Sequence, residues 1–151
     1  MDRILMFIAT GAYSGYLPTA PGTWGSAVGV LIWLCIGRMD LLPFLAIVTL
    51  LFFVGIISGG AAEKILDRAD PRPVVIDEIV GQLITLTAAP FHPVPIIMGF
   101  LFFRFFDILK PFPANWIDKH LHGGLGIMLD DIVAALYAWL LLQLSLRLYG
   151  L

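Results

Sequence analysis

Three short stretches of this 151-residue chain carry side chains able to do chemistry together. Asp77 and Glu78 are adjacent, Arg104, Asp107 and Lys110 follow one another at three-residue steps, and Asp130 and Asp131 form a second acidic pair. Arg104 and Asp107, three apart, would share one face of a helix. Charges among apolar segments cost free energy unless they are paired, metal-bound or wetted. Five carboxylates brought together would repel unless protonated or bound to cations, and hard oxygen ligands of this kind suit Mg²⁺ or Mn²⁺. Arg104 and Lys110 beside such an ion could clamp a phosphate shared with it. Water polarised at the same place would be a nucleophile for a phosphate ester. Gly123, Gly124 and Gly126, just ahead of the second pair, would let backbone approach a phosphate closely. His120 and His122 could assist with protons, although an ordinary interfacial role explains both. Taken singly, Asp77, Glu78, Asp130 and Asp131 are equally well read as first-turn residues favoured by their helix dipoles.

The elements that must position these residues are apolar. The chain is 60% hydrophobic and 13% charged, with a mean hydropathy of +0.94. Soluble domains are nearer 45–50% apolar and about 25% charged. The composition therefore implies an integral membrane protein of one domain, residues 1–151. A net charge of −2 and the absence of a Lys/Arg cluster offer no surface for nucleic acid. Cys35, the single cysteine, lies mid-segment in an apolar run and reads as an inert packing residue. The N-terminal MDRILMFIAT resembles a signal peptide only weakly and is read as part of the mature protein.

The pattern predicts an all-α bundle of about five apolar segments, some short, interfacial or re-entrant. Residues 4–17, broken by Gly11, Ser14 and Gly15, are too short for a span of about 20 residues and suit an interfacial or re-entrant helix. The Pro/Gly-rich run from Leu17 to Ser26 should interrupt helix. The segment from Trp24 to Gly37 spans only if its helix begins inside that run or the bilayer is thin there. Leu41–Ala62 is the clearest span. Val74–Ala89, Ile96–Leu109 and Ile127–Leu148 complete the set, and the charged stretch from Glu63 to Arg72 is expected to be a plain water-facing connection. Alternating the segments puts Arg3, Lys64, Arg68, Arg72, Lys110 and Lys119 on one side, against Arg38 and Arg147 on the other. The excess marks the cytoplasmic side, and the same bookkeeping brings all three chemical stretches to it.

Four motifs occur in order: PGTWGS (Pro21–Ser26), DEIVGQ (Asp77–Gln82), FRFFDILKPFP (Phe103–Pro113), and Asp118 followed by GGLGIMLDDIVA (Gly123–Ala134). Their order resembles that of the phosphatidylglycerophosphatase A family. The resemblance implies a membrane-embedded, Mg²⁺-dependent enzyme of the inner membrane that removes the terminal phosphate of phosphatidylglycerophosphate to leave phosphatidylglycerol. Position by position it implicates Thr23, Ser26, Asp77, Glu78, Arg104, Asp107, Lys110, Asp130 and Asp131. The five acids would be metal ligands or water activators, and Thr23, Ser26, Arg104 and Lys110 would bind substrate. Ala135 stands where many members have glycine, a departure expected to affect helix packing. A cation pathway would instead spread its acids through the membrane depth, and a non-catalytic subunit would tolerate Asn and Lys at the Asp and Arg positions.

Overall fold

The computed structural model describes residues 1–150, and these form seven α-helices with no strand among them. The helices are α1 (Asp2–Ala9), α2 (Pro21–Ile36), α3 (Leu41–Leu66), α4 (Ile76–Thr85), α5 (Pro93–Leu109), α6 (Ala114–His120) and α7 (Gly123–Tyr149), with one 3₁₀ turn at Ser14–Tyr16. The all-α expectation holds. α3 and α7 are long and apolar enough to cross a membrane. Outward faces are oily too: Ile97, Leu101, Phe105 and Ile108 on α5, and Leu136, Leu140, Leu144 and Leu148 on α7, form exposed stripes at helical spacing.

Several boundaries differ from the sequence reading, each for a local reason. The Leu17–Ser26 run does not exclude helix throughout, because α2 starts within it at Pro21, whose fixed φ suits a first helical position. Its 16 residues give α2 a length of about 24 Å. The segment at 74–89 yields only the ten residues of α4, about 15 Å, half of a hydrocarbon core about 30 Å thick. α7 starts at Gly123, four residues before the expected Ile127, so Asp130 and Asp131 lie two turns inside it and are not first-turn acids. The dipole explanation, confined to the first turn, therefore holds for Asp77 and Glu78 alone. Cys35 is exposed on α2 and is not a packing residue of the interior.

Close helix packing depends on small side chains. A Cβ at Gly25 would sit 2.7 Å from the Val75 Cβ, so α2 and α4 meet backbone to side chain there. A Cβ at Gly124 would strike the Ile56 carbonyl, which fixes α7 against the small-residue face of α3 at Ser58, Gly59 and Ala62. The half-length α4 then has to end inside the bundle. Trp33 Nε1 donates to the Leu86 carbonyl at 3.0 Å, and Trp139 Nε1 and Gln143 Nε2 donate to the Thr87 carbonyl at 3.1 and 3.2 Å. These three donors satisfy carbonyls that a helix end leaves open. Trp33→Phe keeps the ring but orphans a buried carbonyl. It should destabilise the fold by about 1–3 kcal/mol, read as an earlier thermal unfolding transition in detergent.

Candidate active site

Five helix ends meet around one cavity of about 330 Å³. The first turns of α2 contribute Pro21 and Gly22, and the end of α3 contributes Glu63. The first turn of α4 brings Asp77 and Glu78, the end of α5 brings Asp107 and Lys110, and the opening turns of α7 bring Gly123, Asp130 and Asp131. Residues separated by more than fifty positions therefore converge, and the two acidic pairs lie at the same end of the bundle.

Asp77, Glu78 and Asp131 each offer a carboxylate oxygen within 4.8 Å of the others. Asp77 Oδ1, Glu78 Oε2 and Asp131 Oδ2 are buried without a hydrogen-bond partner. Buried polar atoms are normally satisfied, and three converging carboxylates, each with an orphaned oxygen, are what a divalent cation with oxygen preference requires. The donor set fits Mg²⁺ on its chemistry. Asp107 lies outside this trio. Its Oδ2 takes Arg104 Nη1 at 2.5 Å, and the same nitrogen reaches Ser26 Oγ at 3.4 Å and Glu78 Oε1 at 3.9 Å. Ser26 donates its own proton to the Gly22 carbonyl at 2.9 Å, leaving the hydroxyl oxygen to accept from Arg104. Gly22 leaves room for both tips in this corner: a Cβ there would lie 2.8 Å from Arg104 Nη1 and against Glu78 Oε1, and would displace them.

Lys110 organises the opposite wall. Its Nζ donates to Asp130 Oδ2 at 2.7 Å and to Asp118 Oδ1 at 2.5 Å, tying α5, α6 and α7 together. Burial works against the ammonium charge, but the carboxylates of Asp130 and Asp118 outweigh it and hold its pKa above the ordinary lysine value. Asp130 Oδ1 is left buried and free.

Of the nine residues singled out by sequence, six line the cavity, and Arg104 and Ser26 join them from behind through Glu78 and Asp107. Thr23 does not line the cavity, and its side chain has no hydrogen bond among the described residues. Both it and Ser26 come from helix, not loop. Of the three glycines ahead of the second pair, Gly123, with φ at 77°, and Gly126 line the cavity, and Gly124 and Gly126 pack against the carbonyls of Ile56 and Leu121. His122 is on the wall, whereas His120 stacks on Trp116.

Sequence reasoning passed over other participants. Glu63, Asp70 and Arg72, expected to be plain connection charges, stand on the cavity wall, and Glu63 Oε1 accepts the Asp70 amide at 3.0 Å. The signal was the run of small residues before Glu63, which draws the end of α3 onto α7. Gln82, one turn below Glu78, is completely buried with both amide atoms unpartnered.

Comparison with known proteins agrees with this geometry. The sequence pattern of the family described as Phosphatidylglycerophosphatase A matches residues 7–146. A Haemophilus influenzae protein named Phosphatidylglycerophosphatase A is 39% identical over 87% of this chain and 82% of its own length. One from Escherichia coli with the same name is 36% identical over 84% of this chain and 74% of its own. A Bacteroides thetaiotaomicron protein named "Putative phosphatidylinositol-3-phosphatase" is 36% identical over 96% of the chain and 95% of its length. No solved structure matches. A pattern that runs from the end of α1 to the last turn of α7, and so takes in every wall of the cavity, makes this chain a member of the phosphatidylglycerophosphatase A family of phosphatases.

Proposed function

We propose that this protein hydrolyses the terminal phosphate of phosphatidylglycerophosphate, with Mg²⁺ held by Asp77, Glu78 and Asp131. The observation that carries the reading is a trio of acids, each with an orphaned buried oxygen, on the wall of a cavity that Lys110 also lines, with Arg104 held just behind Asp107 and Glu78. When bound, the ion supplies charge neutralisation at the phosphoryl oxygens and acidifies water next to it. The chain does the rest. Lys110 holds a phosphoryl oxygen from one wall, and Arg104, kept in place by Asp107 and Ser26, holds the phosphate from the other. Both cations act in a partly buried setting where their attraction is weakly screened. Asp130 Oδ1, free while Lys110 occupies the other oxygen, takes the proton from the attacking water. Water oxygen bonds to phosphorus as the bond from phosphorus to the glycerol oxygen breaks, and the proton passes to that departing oxygen.

Embedding in the inner membrane with the cavity at the cytoplasmic side fits the two long apolar helices and the cations near the cavity, Arg72 and Lys110 among them. The gathering of acids at one end of the bundle disfavours an ion pathway, which would distribute them through its depth. The Bacteroides relative supplies a second headgroup, a phosphoinositide 3-phosphate, whose bond type is the same. Two relatives named for phosphatidylglycerophosphate favour the first.

In detergent, purified protein should release inorganic phosphate from phosphatidylglycerophosphate faster than from phosphatidylinositol 3-phosphate or phosphatidic acid. A chelator should abolish the release and added Mg²⁺ restore it; release indifferent to the chelator would eliminate the proposed ligand trio. Asp131→Asn should lower kcat by at least about a hundredfold while the protein still unfolds cooperatively. Arg104→Lys keeps the charge but cannot hold Asp107, Ser26 and a phosphate at once, so kcat/KM should fall by about ten- to a hundredfold. An Arg104→Lys enzyme of wild-type efficiency would remove Arg104 from the phosphate clamp.

A further inference from the structure

Between α2 and α5 runs an outward-facing groove with almost no polar surface, lined by Ala27, Val30 and Leu31 from one helix and Ile97, Phe100 and Leu101 from the other. Its volume is about 390 Å³. Leu31, Ile97 and Leu101 are each more than half exposed, so the groove opens sideways and not into the core. It has one polar end. Ala27 follows Ser26 directly, Phe100 stands one turn before Arg104, and the Ser26–Arg104 hydrogen bond closes the gap between the helices at that point. The groove thus ends at the residues that hold the Arg104 guanidinium.

We propose that this groove binds an acyl chain of the lipid whose phosphate lies between Arg104 and Lys110. The inference rests on the lipid-phosphatase reading given above and assigns its tail a place. Length supports the occupant: from Arg104 back to Ile97 is seven residues of helix, about 10 Å, against about 15 Å for one leaflet of hydrocarbon. Chemistry supports it as well, since a chain of methylenes needs no hydrogen bonds and the groove offers none. A headgroup phosphate held at Arg104 would send its diacylglycerol portion along the nearest apolar path away from the carboxylates, and α2–α5 is the one that starts at the clamp.

Leu31→Trp and Ile97→Trp fill the groove from outward positions, where bulk meets no packed neighbour. Turnover of long-chain phosphatidylglycerophosphate should be compared with that of its deacylated, water-soluble headgroup. The expected result is a fall of about tenfold in the ratio of the two kcat/KM values for either variant. Leu144→Trp, on the exposed stripe of α7, should leave the ratio at the wild-type value. A second measurement uses phosphatidylglycerophosphate carrying a diazirine on its acyl chain, photolysed on the wild-type protein in detergent with chelator present. Adducts should concentrate on α2 and α5 and decrease in Leu31→Trp. Adducts spread evenly over the apolar circumference, or an unchanged ratio in both groove variants, would overturn the proposal. Phosphate release with labelling elsewhere would remove the groove and keep the phosphatase reading; groove labelling without any release would do the reverse.

Discussion

Mutual repulsion among Asp77, Glu78 and Asp131 is the constraint from which the rest of the architecture follows. Their oxygens lie within 4.8 Å of one another in a chain that is 60% hydrophobic, where burial strengthens every uncompensated charge. Left alone, such a cluster would drive the helix tips apart. The surroundings answer with two fixed cations, each already paired to a carboxylate outside the trio: Arg104 to Asp107 and Lys110 to Asp130. Those pairings hold the ammonium away from the trio and leave the guanidinium only a longer contact, 3.9 Å, with Glu78 Oε1. An oxygen of each acid in the trio is thereby left without a hydrogen-bond partner, which is the state the proposed cation would need.

α4 is the element that makes such a centre possible inside an apolar bundle. A full-length helix would carry Asp77 and Glu78 to the water at its tip. A half-length helix instead lets its first turn sit deep among five neighbours while its last carbonyls are met by Trp33, Trp139 and Gln143. In a medium without water, backbone groups must be satisfied within the protein, and the donors from α2 and α7 meet that demand. The glycines of α2 complete the arrangement by letting α4 approach closely enough for Glu78 to reach Arg104.

The helical class and most of the acid-and-cation set were legible in the sequence, because charges in an oily chain stand out and their spacing matched helix ends. Helix starts were less legible. Pro21 both breaks and begins helix, and only the tertiary contacts of Gly22 and Gly25 show that it begins one here. α4 could not be told from a span by hydropathy, since Leu86, Ala88 and Ala89 are apolar whether or not they are helical; its end is met by indoles far away in sequence. Glu63 and Asp70 were hidden by their company among ordinary loop charges. Gln82 was legible as the end of the DEIVGQ motif, but its complete burial with both amide atoms unpartnered was not. Thr23 shows the opposite error: membership of a motif does not guarantee a place on the wall.

The groove between α2 and α5 faces sideways, and that has a kinetic meaning. With an acyl chain in that groove, as proposed, the centre would be loaded along the plane of the bilayer and sample its substrate in two dimensions, so occupancy would follow the mole fraction of that lipid among its neighbours. Diluting the substrate with an inert phospholipid would starve the enzyme even though the amount in the vessel had not changed.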